Sequence, residues 1–259
     1  MTYFGVLIAF IGVPLAVLAM ATVYDARRGR ASSRLAWAVL LAHVLIALAY
    51  STPWDNYLVA TRVWWYAPAL VTGITLGWVP IEEYTFFVVQ TLLAGLWLLF
   101  WMRRLWPPAQ PVVLHGCLRW ITVAISIPLW FISLGVLVAG WMPGWYLALI
   151  LVWAVPPIGL QLAFGADILW RHGRLVLLGV VPTTLYLWLV DDLAIGSGTW
   201  TINPDRILGL YLGGVLPVEE ALFFLATNLL VVLGMTLALA PESPPRLRQL
   251  PGLGILFAR

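Results

Sequence analysis

The chain contains no lysine, one cysteine and few charges: only 10% of its 259 residues are Asp, Glu, Lys or Arg. Without lysine it cannot hold retinal, or any other aldehyde, as a lysine Schiff base. The single cysteine, Cys117, excludes an internal disulfide, and packing near one membrane surface is the role expected of it. No P-loop, dinucleotide fingerprint, nucleophile motif or metal-ligand cluster is present, so neither a metal nor a cofactor is expected. Strand-like alternation is missing too, which argues against a membrane barrel.

What the chain does have is apolar surface. It is 63% hydrophobic with a mean hydropathy of +0.97, more than a soluble domain can carry without exposing large apolar patches. A helix needs about 20 apolar residues to cross a bilayer. Seven candidate spans are read at about 3–23, 34–51, 69–101, 119–140, 145–164, 173–190 and 206–240. The first lacks a basic segment before its apolar run and is read as a helix, not a signal peptide.

Every basic residue is arginine. Arg27, Arg28, Arg30, Arg34, Arg103, Arg104, Arg119, Arg171, Arg174, Arg246, Arg248 and Arg259 fall on one side of the seven-span order, leaving Arg62 and Arg206 on the other. The formal charge of +3 is therefore a topology signal and not a nucleic-acid footprint. By the positive-inside rule the chain sits in the cell membrane with its amino terminus outside and its carboxyl terminus in the cytoplasm. Asp55, Asp191, Asp192 and Asp205 then belong to the outer loops.

The eleven acidic residues include a repeated motif, Pro80-Ile-Glu82-Glu83 and Pro217-Val-Glu219-Glu220, each followed after two residues by a Phe-Phe pair. An ionisable group inside a membrane segment costs about 2.5 kcal/mol or more on insertion scales, so it reads as functional by default. Interhelical polar bonds are usually made with cheaper Ser, Thr, Asn or Gln. The third and seventh candidates are longer than one span, so each reads as a lead-in helix followed by a span starting at the proline, with a break or kink there.

An offset of 137 residues superposes Asp55 on Asp192, Pro80 on Pro217, and both glutamates and both Phe pairs on their counterparts. The expected plan is two parallel three-helix repeats, 1–104 and 144–240, joined by a connector segment 105–143 that Pro107-Pro108 introduces, with a tail at 241–259. An unpaired connector restores parity, so both motifs approach from the same outer face. Helical spacing puts Glu83, Phe87 and Gln90 on one stripe and Glu220, Phe224 and Thr227 on its counterpart, with Glu82–Phe86 and Glu219–Phe223 beside them. Two neighbouring carboxyls in an apolar setting do not both ionise readily, and an acid that keeps its proton near neutral pH is what acid catalysis needs.

Other polar features are weaker signals. Asp55 and Asp192 are candidate site residues by their symmetric placement, whereas Asp191 has no partner in the first half and reads as structural. His43 reads as a satisfied buried histidine. Trp64, Trp65, Trp141, Trp145 and Trp200 read as interfacial aromatic belts, and Gly73, Gly77, Gly213 and Gly214 as points of close helix packing.

The segments Pro53-Trp-Asp55-Asn56-Tyr57, Trp64-Trp65-Tyr66 and Val79-Pro80-Ile-Glu-Glu-Tyr84-Thr-Phe-Phe87 resemble the membrane-embedded lycopene cyclase family of actinobacteria, archaea and fungi. The second half, with Asp191-Asp192 and Pro217-Val-Glu-Glu-Ala-Leu-Phe-Phe224, is similar to the partner subunit, so the chain resembles the fused form. Both Pro-x-Glu-Glu motifs match in full, the Trp-Asp-Asn segment only in the first half, and the likeness runs to about residue 240. The resemblance implies acid-catalysed cyclisation of the ψ ends of lycopene to β-ionone rings, through γ-carotene to β-carotene, an isomerisation without net redox change. It implies Glu82, Glu83, Glu219 and Glu220 as acid, base and counter-charge, with Asp55 and Asp192 tuning or orienting them. Phe86, Phe87, Phe223, Phe224, Gln90 and Thr227 would pack the substrate. The implied partners are a carotenoid drawn from the bilayer, membrane lipid and other enzymes of carotenoid synthesis.

The main competing reading is a small proton-coupled carrier, which also suits a three-plus-one-plus-three repeat. An intramembrane protease with a Glu-Glu motif would carry arginine where Phe87 and Phe224 stand, and a prenyltransferase would need more than Asp191-Asp192 to hold magnesium.

Overall fold

A computed structural model describes residues 1–106 and 116–249; the expected Pro107-Pro108 lead to the connector and Arg259 lie outside them. Among the described residues, seven helices are long and apolar enough to cross a membrane. They are α1 (Tyr3–Arg27), α2 (Arg34–Ala60), α3 (Ile81–Leu105), α4 (Gly116–Val138), α5 (Trp145–Arg171), α6 (Gly173–Gly196) and α7 (Val218–Leu239), followed by a short α8 (Ser243–Gln249). The chain is an all-α polytopic membrane protein. Helices α3 and α7 are the most buried spans, and α4 is the least, packing on α5 at the periphery.

Helix α2 continues to Ala60 and α6 to Gly196, well past the apolar stretches expected to end at 51 and 190. Hydropathy falls at Asp55-Asn56 and Asp191-Asp192, but the backbone does not break there. Three of the four acids expected in outer loops, Asp55, Asp191 and Asp192, therefore lie inside the long helices; Asp205 alone falls between them, in a short 3-10 turn, Pro204–Arg206.

The expected lead-in helices before Pro80 and Pro217 are replaced by hairpins. Strand β2 (Thr75–Leu76) pairs with β3 (Val79–Pro80), and β5 (Tyr211–Leu212) with β6 (Leu216–Pro217). The cause is glycine: Gly77 and Gly213 take φ of 70° and 65° in the turns, a region that side chains with a Cβ avoid. A Cβ on Gly77 would also collide with Oδ1 of Asn56. These glycines thus serve turns and not helix packing. Pro80 and Pro217 have extended backbones and cap α3 and α7, so each span starts at its proline without an internal kink. Strand β1 (Trp64–Tyr66) pairs antiparallel with β4 (Trp200–Ile202), which ties the two hairpin-bearing loops together.

Prolines inside the helices explain part of the aromatic richness. A proline at i frees the carbonyl at i−4, and in hydrocarbon that oxygen needs another donor. Pro14 frees the carbonyl of Phe10, which accepts from the Tyr186 hydroxyl at 2.7 Å. Pro157 frees that of Trp153, which accepts from Tyr50 at 2.8 Å. The carbonyls of Val152 and Leu178, four residues before Pro156 and Pro182, accept from Trp130 Nε1 at 3.2 Å and Trp97 Nε1 at 2.7 Å. Each repair comes from another helix, so the prolines tie the bundle together.

At the opposite end from the hairpins, charges pair. Asp25 accepts from Arg103 at 2.9 Å and Arg104 at 2.8 Å. Arg246 of α8 makes a two-pronged contact with Asp167 at 2.6 and 2.7 Å, and Glu242 faces Arg171 at 3.3 Å. Bidentate Arg–carboxylate pairs are among the stronger polar contacts, and these fasten α1 to α3 and α8 to α5.

Candidate active site

Because Pro80 and Pro217 cap their helices, each Glu pair occupies the first turn of a central span. Unsatisfied amides and the positive end of the helix dipole favour carboxylates there. All four glutamates are buried, but the two members of each pair point to different partners.

Glu82 and Glu219 turn back to the loops. Glu82 accepts from the Thr72 amide at 2.6 Å and the Thr72 hydroxyl at 3.2 Å. Glu219 accepts from the Leu208 amide at 2.7 Å. They clamp each hairpin-bearing loop to its helix.

Glu83 and Glu220 turn inward to one cavity of about 40 Å³, lined also by Asp191, Phe86, Phe223, Phe224 and a ring of Tyr and Trp side chains. Glu83 accepts from the hydroxyls of Tyr3 at 2.5 Å and Tyr66 at 2.9 Å. Glu220 accepts from Tyr146 at 2.7 Å. Burial, followed by the neighbouring Asp55 and Glu83 charges, pushes the Tyr66 phenol well above its usual range, so it stays a donor. Tyr3 and Tyr146 open the first helix of each half. They escaped the sequence reading because they stand 143 residues apart, outside the 137-residue register that aligned the glutamates; the available signal was an aromatic-then-apolar helix start in both halves.

Asp191 also belongs here. It is buried, lines the cavity, accepts from Trp200 Nε1 at 3.0 Å through Oδ1, and among the described residues has no partner for Oδ2. Asp55 is buried without a hydrogen-bond partner for either oxygen among the described residues, and both aspartates lie within electrostatic reach of Glu83 and Glu220. Asp192 instead accepts from the Val215 and Leu216 amides at 2.8 and 3.1 Å, the task Asn56 performs for Trp78 at 2.7 Å. By contacts, then, Asp55 corresponds to Asp191 and Asn56 to Asp192, and Asp191 is not the unpartnered structural residue expected. The turn of the second hairpin is one residue longer than that of the first, which shifts the register from 136 before it to 137 after it.

Among the described residues no salt bridge reaches Glu83, Glu220, Asp55 or Asp191. Aromatic faces surround them instead. Trp64 and Trp200, expected in interfacial belts, line the cavity, and the Tyr3 ring packs 4.9 Å from Trp200. Such faces attract positive charge.

A second chamber, of about 200 Å³, lies deeper between α2 and α5. Phe86 and Phe223 line both chambers and separate them; Phe87 lines only the second and Phe224 only the first. In the first half the glutamate that faces the cavity is thus joined there by the Phe three residues on, Phe86, and not by Phe87 four residues on; in the second half both Phe223 and Phe224 line the cavity with Glu220, as the stripe predicts for Phe224. Gln90 and Thr227 line the second chamber and meet across α3 and α7 at 3.3 Å. His43 lines it too, its Nδ1 bound to the Val39 carbonyl at 2.8 Å.

The lycopene cyclase family matches this chain over residues 1–104 and 143–238. A lycopene beta-cyclase of Halobacterium salinarum is 36% identical over 241 residues, covering 91% of this chain and 95% of the relative. Bifunctional lycopene cyclase/phytoene synthases of Podospora anserina and Leptosphaeria maculans are 37% and 39% identical, each covering 74% of this chain but about a third of the longer relative. No solved structure matches. Matched along most of its length and carrying its glutamates in both matched stretches, the chain belongs to the lycopene cyclase family.

Proposed function

We propose that this protein is a lycopene β-cyclase that closes the ψ ends of lycopene by acid catalysis, giving γ-carotene and then β-carotene. The observation that carries the proposal is a pair of inward-facing glutamates, one from each half, on one small aromatic cavity. An alkene is a very weak base, so its protonation requires an acid held against it away from water and a means of stabilising the cation.

Glu220 is assigned as the acid. It accepts one phenolic hydrogen, from Tyr146, and a carboxyl buried without a counter-cation carries a proton it can give up. It protonates the terminal double bond. The internal double bond attacks the resulting cation, forming the ring bond and moving the positive charge within the new ring. Glu83, with two phenolic donors, is suited to the anionic role: it offsets the cation and takes the proton whose loss forms the ring alkene. One proton enters and one leaves, so the product is an isomer of the substrate. The Phe86, Phe223, Trp64 and Trp200 faces support the positive charge.

Asp55 and Asp191 place further buried carboxyls within electrostatic reach of the two glutamates, while Glu82, Glu219 and Asp192 hold the loops and hairpin that shape the cavity's roof. The order of elements from α2 to α3 recurs from α6 to α7, supporting two parallel three-helix repeats with α4 as connector. The arginine distribution supports a cytoplasmic carboxyl terminus. Fusion to phytoene synthase in fungal relatives supports other enzymes of carotenoid synthesis as working partners. The carrier alternative draws no support from the family.

The test is purified protein in lipid vesicles with lycopene and no added nicotinamide or flavin, the pigments being separated and weighed by mass spectrometry. Cyclic products of unchanged mass are expected. Unconverted lycopene, or a product of altered mass, would refute the assignment.

A further inference from the structure

The two halves repeat a groove as well as a motif. Between α1 and α6 lies a groove lined by Pro14, Leu93 and Tyr186; between α2 and α5 lies the chamber lined by Pro157, Leu230 and Tyr50. Their frames match, because in each a tyrosine bonds the carbonyl that a proline frees. Only one of the two abuts the carboxyl cavity. The α2–α5 chamber shares Phe86 and Phe223 with the carboxyl cavity, whereas the α1–α6 groove shares no residue with it.

The difference is legible in paired side chains. Small Ala47 and Ser51 of α2 line the open chamber; the corresponding α6 residues are Thr183 and Leu187. Leu187 is fully buried and forms a wall of the carboxyl cavity, filling the space that Ser51 leaves. The mouth of the α2–α5 chamber carries Ile46, which is 60% exposed on the bilayer side.

We infer that the chamber between α2 and α5 is the single lateral port through which the terminal segment of a linear polyene passes from the bilayer to the glutamates, with Phe86 and Phe223 as the partition it must displace. The inference rests on the cyclase reading above. The occupant is set by chemistry: the chamber is largely apolar, opens sideways into hydrocarbon, and ends at the Phe86–Phe223 partition behind which the acids lie. A hydrocarbon chain already dissolved in the bilayer meets all three conditions. With one port, one end is treated at a time, so a substrate with two identical ends must leave and present its second.

The experiment compares four proteins in lycopene-containing vesicles: wild type, Ile46→Trp at the port, Ser51→Leu in the chamber, and Val17→Trp in the α1–α6 groove. Val17 lines that groove and is 54% exposed, so its variant makes a matched control. Ser51→Leu installs the residue that the other half already carries, and both tryptophans point to lipid, so folding is checked simply by gel filtration and thermal melting. Blocking the port is expected to lower initial rate at least about tenfold in Ile46→Trp and Ser51→Leu, the scale of effects that misplace a substrate. Val17→Trp should stay within about twofold of wild type. Folded Ile46→Trp and Ser51→Leu proteins that match an active wild type would overturn the port and leave the cyclase reading standing. Equal losses in all three variants would overturn it as well, because the effect would not depend on which groove is filled. An inactive wild type would remove the cyclase reading and the port with it.

Discussion

Replacing Tyr146 by Phe deletes one hydroxyl and leaves the ring that packs 5.4 Å from Trp64. That hydroxyl is the side-chain donor to Glu220, at 2.7 Å in a fully buried setting. A hydrogen bond to a charged group contributes about 1.5–3 kcal/mol. If the bond is strongest as Glu220 becomes an anion on giving up its proton, its loss raises the barrier by that amount, or roughly 10- to 150-fold in rate. Glu83 offers an internal comparison, since Tyr3 and Tyr66 both donate to its Oε2. Tyr3→Phe or Tyr66→Phe alone should cost less than about tenfold, and the two together should match Tyr146→Phe. The assay is initial lycopene loss in vesicles, followed by chromatography at equal amounts of folded protein. An unimpaired Tyr146→Phe enzyme, or one less affected than Tyr3→Phe, would refute the view that these phenols support the carboxyls during proton transfer.

Glu82→Gln keeps an acceptor for the Thr72 amide and should retain activity within a few-fold, whereas Glu82→Ala frees the loop and should lower both activity and melting temperature. Asp192→Ala removes the acceptor for two hairpin amides and should cost about 1–3 kcal/mol of stability, read by thermal unfolding in detergent. Tyr50→Phe and Tyr186→Phe each strip the donor from a proline-freed carbonyl and should each cost about 0.6–2 kcal/mol, the range for interhelical polar bonds in membranes. A time course of conversion should show the monocyclic product rising before the bicyclic one; bicyclic product appearing alone would count against a single port.

Much of this architecture is legible in the sequence because a bilayer restricts the choices. Seven apolar runs give seven long helices among the described residues, and the cost of a buried carboxyl draws attention to the Pro-x-Glu-Glu motifs. What hydropathy cannot read is where a helix stops when its last turns become polar, so Asp55 and Asp191 were expected in loops. Nor does it read turn chemistry: Gly77 and Gly213 look like packing glycines in an apolar run, yet their backbone conformation belongs to hairpins. Which member of a Glu pair faces the cavity depends on what stands opposite. Thr72 and Leu208 draw Glu82 and Glu219 outward, and Tyr3, Tyr66 and Tyr146 receive Glu83 and Glu220. These contacts join segments far apart in sequence. A fixed offset misses them, and one extra residue in the second hairpin is enough to pair Asp55 with the wrong aspartate.

The most direct test of the account expresses the wild type, Glu83→Gln, Glu220→Gln and Glu82→Gln in a bacterium that accumulates lycopene, with membrane-resident protein matched and pigments separated by chromatography. The account predicts cyclic carotenes from the wild type and Glu82→Gln, and unchanged lycopene from both Glu83→Gln and Glu220→Gln, because each half supplies one carboxyl to a single proton relay. Cyclic carotenes at wild-type levels from either inward-facing variant would contradict it.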